Sequence, residues 1–369
     1  MDKIRIGIIG NGIIANNHLA EYSKMPDVEI IALCDIDEKQ MNSTGDQYGV
    51  ANRYVSIRKL LERDDIQAVD VCLHNNLHTP VVIAALEAGK DVYCEKPMAG
   101  SYMDALHMVQ AMEQTGRKLH IQLAFIYGKE AKAAKRLIDA GRLGQIYHMR
   151  SYGWRRRGRP YVDGYATKEF VNSATSAGGA LFDMGVYHIS QLLYFSGLPV
   201  LERIVGNTYA KLPMNEKRRE ISGFNVEELG CGYATFRNNM TLDILESWAV
   251  HMGEFPGSMI FGDTGGISLS PFKYHFMQDD MEFTASADLT AMDYRDHNVY
   301  AENAVYDSSQ IHWIAALQGK CELLPTAKIA LDTQLVQEGI YISERLGREI
   351  TADEIRALSV SKAVTIPNL

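Results

Sequence analysis

Apolar residues in the first third of the chain gather in short unbroken runs, each closed by a polar or glycine-rich turn. Ile4 to Ile9 is one such run. It breaks at Gly10-Asn11-Gly12, and apolar spacing resumes at helical intervals through Ile14, His18, Leu19 and Tyr22. A second run, Val28 to Cys34, ends in Asp35. Residues 37–47 then read as a helix, with a short strand near Tyr54 and a helix from Ser56 to Glu62 whose N-cap is Ser56. Ala68 to Leu73 reads as a strand that leads into the polar loop His74 to Pro80. Residues 80–88 form a helix closed by Gly89, and the strand Asp91 to Cys94 stops at Glu95-Lys96-Pro97. A helix over 101–115 and a strand from Lys118 to Leu123 complete the alternation. Strands alternating with helices predict an α/β domain with a doubly wound parallel sheet, a Rossmann arrangement.

Beyond a helix at 129–140 the period changes. Tyr147 to Trp154 alternates as a strand, and similar runs recur at 202–211, 228–236, 241–250, 257–261 and 266–269. Strands without intervening helices predict an α+β domain with an open, mainly antiparallel sheet and one buried face. An apolar helix runs to Phe195 from the stretch beginning at Gly178, and Ser309 to Leu317 forms another. Leu324-Pro325-Thr326 caps a long helix over 327–345, which Gly347 closes. The expected division is 1–125, 126–325, and a C-terminal segment 326–369 that packs back on the first domain.

A chain of 369 residues suits two domains, and 46% apolar with 22% charged residues describes an ordinary globular protein. A net charge of −9 and a pI near 5.7 leave no electrostatic footprint for nucleic acid. No apolar stretch reaches the roughly eighteen residues of a membrane helix, and no leader pattern precedes the first strand, so the expected location is cytoplasmic. The five scattered cysteines read as small core residues.

Candidate chemistry collects at the strand ends. Gly10, Gly12 and Ala15 form G-x-G-x-x-A between a strand and a helix. Gly10 makes the tight turn, Gly12 admits a pyrophosphate to the backbone, and the helix N-terminus faces the anion. Asp35, twenty residues beyond Ala15, is placed for the ribose hydroxyls of NAD and repels the extra phosphate of NADP. The loop Gly10-Asn11-Gly12-Ile13-Ile14, Asp35, Asn75 and His78, Glu95-Lys96-Pro97 and Gln122 all fall on the edge where such sheets bind ligands. Lys96 is the candidate base: beside a cationic nicotinamide ring, like charge and desolvation lower its pKa toward neutrality.

Taken together, Gly10–Ala15, Asp35, Asn75-x-x-His78 and above all Glu95-Lys96-Pro97 resemble the Gfo/Idh/MocA family of nicotinamide-dependent oxidoreductases. Leu73 and His74 replace that family's Thr-Pro before the asparagine. The resemblance implies that Lys96 is catalytic and that the second domain carries substrate residues and often an oligomer interface. Gly178 to His188 resembles the family's second signature, Gly-Gly-x-Leu-x-Asp-x-Gly-x-His, with Tyr187 at the histidine position and His188 one residue later. It implies that Asp183 holds a substrate hydroxyl and tunes Lys96 while Tyr187 or His188 relays a proton; on one helix Asp183 and Tyr187 share a face. The family's arginine near 125–130 is replaced by Phe125-Ile126-Tyr127-Gly128. The stretch Trp154-Arg155-Arg156-Arg157-Gly158-Arg159-Pro160-Tyr161 offers basic and aromatic groups for a polyhydroxylated ligand in its place, with Trp154, Arg155, Arg156 and Tyr161 as candidates. The spacing of Asp183, His188, His251 and His312 matches no metal motif, and no metal is expected.

These features imply an NAD-dependent enzyme that oxidises a secondary hydroxyl of a sugar or glycoside, with C3 of a pyranoside as the preferred position. Three rivals fit the same signatures: a glycoside lyase or hydrolase that cycles its NAD in place, an inositol dehydrogenase, and a non-catalytic NAD sensor. The expected assembly is a homo-oligomer.

Overall fold

The computed structural model describes residues 3–254, 256–367 and 369. Two compact units emerge. The first comprises residues up to Gln122 together with Val305–Lys328 and Ser361–Leu369; the second comprises Leu123–Ala304 and Ile329–Val360.

In the first unit the chain alternates β1 (Ile4–Ile9), α1 (Ile13–Tyr22), β2 (Val28–Cys34), α2 (Glu38–Tyr48), β3 (Asn52–Tyr54), α3 (Ile57–Leu61), β4 (Ala68–Val71), α4 (Asn75–Glu87), β5 (Asp91–Cys94), α5 (Tyr102–Thr115) and β6 (Leu119–Ile121). The six strands lie in the order β3-β2-β1-β4-β5-β6, every neighbouring pair parallel. The order reverses between β1 and β4, which opens a crevice beyond their carboxyl ends. Ser56 and Ser101 cap α3 and α5 by accepting from Lys59 N and Asp104 N.

One loop is shorter than the sequence suggests. Helix α4 begins at Asn75, so the polar stretch after β4 is a helical first turn with Pro80 inside it. Proline lacks the N–H that would bond the carbonyl four residues back. Here the Asn76 carbonyl accepts instead from Val364 N of the C-terminal tail, at 3.1 Å. The tail is tied nearby by Ser361 Oγ and Lys362 N, both donating to the Asp104 carboxylate.

The expected division also needs correction. Helix Ser309–Leu317 belongs to the first unit because Trp313 and Ile314 join Ile6, Ile8, Leu19, Leu33 and Tyr93 in its core. Thr326 caps that unit as well, accepting from Ile121 N at 2.9 Å. From Ile329 onward, however, the long helix Thr326–Leu346 belongs to the second unit. Periodicity locates a helix but does not say which sheet its apolar face will meet.

In the second unit, nine strands form one sheet: β7 (Ile146–Trp154), β8 (Leu201–Tyr209), β9 (Leu229–Phe236), β10 (Thr241–Ser247), β11 (Met259–Gly262), β12 (Gly265–Leu269), β13 (Phe272–Gln278), β14 (Met281–Ala285) and β15 (Ile350–Thr351). Their order is β14-β13-β12-β11-β7-β10-β9-β8-β15, antiparallel throughout except for β7 beside β10. Strands β13 and β14 carry no alternating burial, and all five residues of β14 are exposed, which is why period-two patterning misses them. On β10, Leu242, Ile244 and Glu246 point to the buried face, where helix Gly185–Phe195 packs.

Candidate active site

The first unit presents a dinucleotide cradle. Gly10 adopts φ +91°, and a Cβ there would sit 2.3 Å from the Cys72 carbonyl oxygen, so β1 and β4 approach too closely for any side chain. Gly12, the N-cap of α1, is different: a Cβ there would meet nothing within 4 Å. That open space at a helix N-terminus is where a pyrophosphate fits. Asp35 accepts from Asn11 N at 2.6 Å and from Asp37 N at 2.9 Å. A carboxylate has about four lone-pair sites, so two stay available for ribose hydroxyls. Two buried amide oxygens, Asn11 Oδ1 and Gln122 Oε1, lack partners among the described residues. A dinucleotide carries the donors that would satisfy them. The residues present therefore fit NAD; Ile13 and Ile14, exposed in the first turn of α1, flank the same opening.

Lys96 follows β5 at the same edge. Its backbone N–H donates to Glu95 Oε2 at 2.8 Å. Glu95 is buried, yet its pKa lies below the usual value: burial pushes it up, and the bond to His18 with the attraction of His18 and Lys96 outweighs that. His78 is fully buried on α4, its ring nitrogens 3.0 Å from the carbonyls of Leu73 and Pro97. It holds the bend after Lys96 in place. Burial lowers its pKa, which favours the neutral ring. Asn75 opens α4 at the same strand end.

In the second unit the signature around Asp183 departs from a continuous helix. A short helix Ala180–Asp183 precedes the helix Gly185–Phe195. Between them the Met184 backbone stays in the right-handed helical region, at φ −88° and ψ −45°, and Gln337 Nε2 donates to the Leu181 carbonyl at 2.7 Å. Asp183 Oδ2 accepts from the indole N–H of the fully buried Trp248 at 2.9 Å. Tyr187 stacks on Phe125 with ring centroids 4.7 Å apart.

His188 is anchored by a residue the sequence reading did not single out. Its Nδ1 lies 3.0 Å from Glu246 Oε2, and Glu246 Oε1 accepts from Ser151 Oγ at 2.6 Å. Glu246 is fully buried, an acid on the apolar face of β10, and that misplacement in an alternating strand was the signal available. Burial draws the His188 ring toward neutrality, but the Glu246 charge and hydrogen bond outweigh it and leave the pKa raised. Gly153 makes room for this pair, since a Cβ there would lie 2.2 Å from Glu246 Oε2 and 2.3 Å from His188 Cε1.

The raised value gives a signed expectation. The pair stabilises fully below the unfolded histidine pKa near 6.5, and its contribution is lost as pH rises through the higher folded value. Glu246→Gln should therefore destabilise the protein by about 1–3 kcal/mol at pH 6. The deficit should shrink toward alkaline pH. Thermal melts of both proteins across that range check this, and a deficit independent of pH would contradict it.

The basic stretch is not the ligand patch expected. Arg159, 1% exposed, pairs with Asp163 at 2.8 Å and Glu228 at 2.9 Å and donates to the Leu212 and Pro213 carbonyls. Arg157 also pairs with Asp163. The Arg155 guanidinium lies 5.3 Å from the Tyr165 ring centroid and bonds the Tyr165 hydroxyl and the Gly158 carbonyl. Tyr161 takes φ 57° under the Arg218 guanidinium. Asp163, four residues beyond Arg159, and the distant Glu228 hold Arg159, and Arg156 stays exposed. Trp154 fares differently. It lines a cavity of about 610 Å³ within the second unit, with Phe125, Tyr152, Met184, His188, Gln191 and Phe272 among the walls.

Asp183, His188, His251 and His312, for which no metal was expected, each have their own surroundings. His188 is paired with Glu246 and Asp183 with Trp248, while His251 is exposed. His312 lies in the first unit, stacked on Tyr306 and accepting from Leu324 N. All five cysteines are free thiols, and among the described residues no helix is long and apolar enough to cross a membrane.

The fold and the cradle define a nicotinamide-dependent oxidoreductase. Residues 4–123 match the NAD-binding Rossmann domain of the GFO/IDH/MocA oxidoreductase family, and residues 131–268 match its C-terminal domain. The chain belongs to that family, and its cofactor is NAD. It is 25% identical to the D-glucoside 3-dehydrogenase of Escherichia coli strain K12, over 94% of this chain and 97% of that one. The D-apiose dehydrogenase of Paraburkholderia graminis is 24% identical over 96% of this chain and 91% of its own length. Inositol 2-dehydrogenase of Salmonella typhimurium is 32% identical, but over only 40% of this chain and 46% of that enzyme. Among solved structures, a levoglucosan dehydrogenase in complex with NADH and L-sorbose superposes with TM-score 0.78 at 16% identity, covering 95% of this chain and 99% of that one.

Proposed function

We propose that the protein oxidises a secondary hydroxyl of a sugar glycoside, at C3 of the pyranose ring, and does so reversibly. NAD, when bound, would supply the hydride acceptor for the carbinol carbon. Lys96 Nζ takes the hydroxyl proton as the carbonyl forms. Asp183, fixed by Trp248, holds a substrate hydroxyl, and His188 is favoured over Tyr187 as the proton relay because it lines the cavity and is held by Glu246.

The observation that carries the glycoside reading is that cavity: at about 610 Å³ it exceeds what one pyranose ring fills, and its aromatic walls suit an aglycone. The near full-length similarity to a D-glucoside 3-dehydrogenase supports the same position, whereas the inositol enzymes match over less than half their length. Exposed Tyr147, Val205, Tyr209 and Tyr233 on the second unit support assembly with further copies of the chain.

The test is NADH formation by purified protein with NAD and a panel of alkyl and aryl glucosides, free hexoses and inositols, with aglycone release followed in parallel. Glucosides should turn over fastest. Turnover of inositols alone would overturn the glycoside reading. Aglycone release without net NADH would move the protein to the redox-cycling lyases and hydrolases.

A further inference from the structure

His18 lies on the buried face of α1, at a position where apolar spacing predicts a core residue. The structure gives it more to do. The ring is 2% exposed, yet both nitrogens meet carboxylates: Nδ1 lies 2.9 Å from Asp70 Oδ2, and Nε2 lies 2.9 Å from Glu95 Oε1. A neutral imidazole donates from one nitrogen only, so two ionised carboxylate partners call for the doubly protonated ring. Each carboxylate is engaged again on its other oxygen. Asp70 Oδ1 accepts from Cys72 Sγ at 3.3 Å, and Glu95 Oε2 accepts from the Lys96 N–H at 2.8 Å. One buried ring therefore links the helix that opens the dinucleotide cradle to the residue that carries Lys96.

His18, Asp70 and Cys72 are also close enough to hold a metal ion. The hydrogen bonding argues for the proton instead, because both ring nitrogens already face acceptors. The Cys72 thiol is also pushed far above its usual pKa, by burial first and by Asp70 second, and does not supply a thiolate.

We propose that His18 is a positioning residue of the hydride-transfer site: as a buried imidazolium it neutralises Glu95 and fixes the backbone of Lys96, so that the Glu95 charge does not lock that amine into its ammonium form. This rests on the assignment of Lys96 as the base. The titratable groups around the ring are Asp70 and Cys72 of β4, Tyr93 and Glu95 of β5, and Tyr22 on α1 itself; His120 stacks on Tyr93. Burial pulls the ring toward neutrality, but chiefly the charge of Asp70 outweighs it and raises the pKa. Without the imidazolium, the Glu95 charge falls on its next cationic neighbour, Lys96, and stabilises the ammonium form.

Two measurements test this. In the NAD-free wild-type protein, the nitrogen resonances of the His18 ring should show both nitrogens protonated at pH 8, where a free histidine is neutral. A neutral ring at pH 7 would overturn the proposal whether or not any substrate is known. In His18→Gln, the acid limb of the kcat–pH profile should move up by about one unit, so that kcat at pH 7 falls about tenfold, while the Kd for NAD is unchanged. A lower Tm with an unmoved limb would make His18 merely structural and sink the idea. A wild-type profile with no acid limb, insensitive to Lys96→Ala, would instead remove Lys96 as the base while the ring resonances still report on His18.

Discussion

Lys96→Ala should reduce NADH formation about 100- to 10,000-fold while NAD still binds, the range that loss of a positioned general base produces. The cradle residues Gly10, Gly12 and Asp35 belong to other strand ends and do not depend on the lysine side chain. Lys96→Arg should not restore turnover, because a guanidinium stays protonated at any accessible pH and accepts no proton. Stopped-flow absorbance at the NADH band, with NAD affinity measured by protein fluorescence, separates the two effects. A variant that bound NAD and kept more than a tenth of its activity would remove Lys96 from the chemistry.

The second large effect distinguishes the two glycines of the cradle. Gly10→Ala brings a Cβ to 2.3 Å from the Cys72 oxygen and 2.8 Å from its carbonyl carbon, both backbone atoms, at φ +91°. Neither neighbour is a flexible side chain that could swing away, so β1 and β4 must separate. Positive φ alone costs about 1–3 kcal/mol for a residue with a side chain, and the clash adds to it. The variant should lose stability and NAD binding together. Gly12→Ala has φ −73° and empty space around its Cβ, so the fold should keep its Tm. The added methyl instead occupies the opening at the helix N-terminus, and the Kd for NAD should rise at least about tenfold, or 1.4 kcal/mol. Calorimetric melts and NAD titrations of the pair check this. Equal Tm losses in both variants, or unchanged NAD affinity in Gly12→Ala, would place the dinucleotide elsewhere.

Much of this candidate site is legible in the sequence alone. Gly10, Gly12 and Asp35 are readable because strand, turn and helix follow each other locally, and the glycines mark places where backbone must come close to something. The second sheet was legible in β7 to β12, where one buried face imposes alternation. The same rule explains what was missed: β13 and β14 bury no regular face and leave no period in the sequence. The basic run from Arg155 to Arg159 shows the opposite failure. Its composition suggested an anion site, yet Arg159 is claimed by Glu228, sixty-nine residues away, and a local reading of charge has no access to that partner.

The sequence by itself determined the parallel α/β unit, the mainly antiparallel sheet, the family, the glycine turn after β1 and the place of Lys96 at the end of β5. Those depend on local periodicity and on short motifs whose geometry the backbone enforces. Only the tertiary structure decided that Glu246 holds His188, that Trp248 holds Asp183, that Gln337 holds the Leu181 carbonyl, and that His18 bridges Asp70 and Glu95. Each joins residues distant in the chain, and in low dielectric such pairings decide which groups carry charge. Spacing in one dimension says where a side chain sits along its own element, and the packed fold says what it meets.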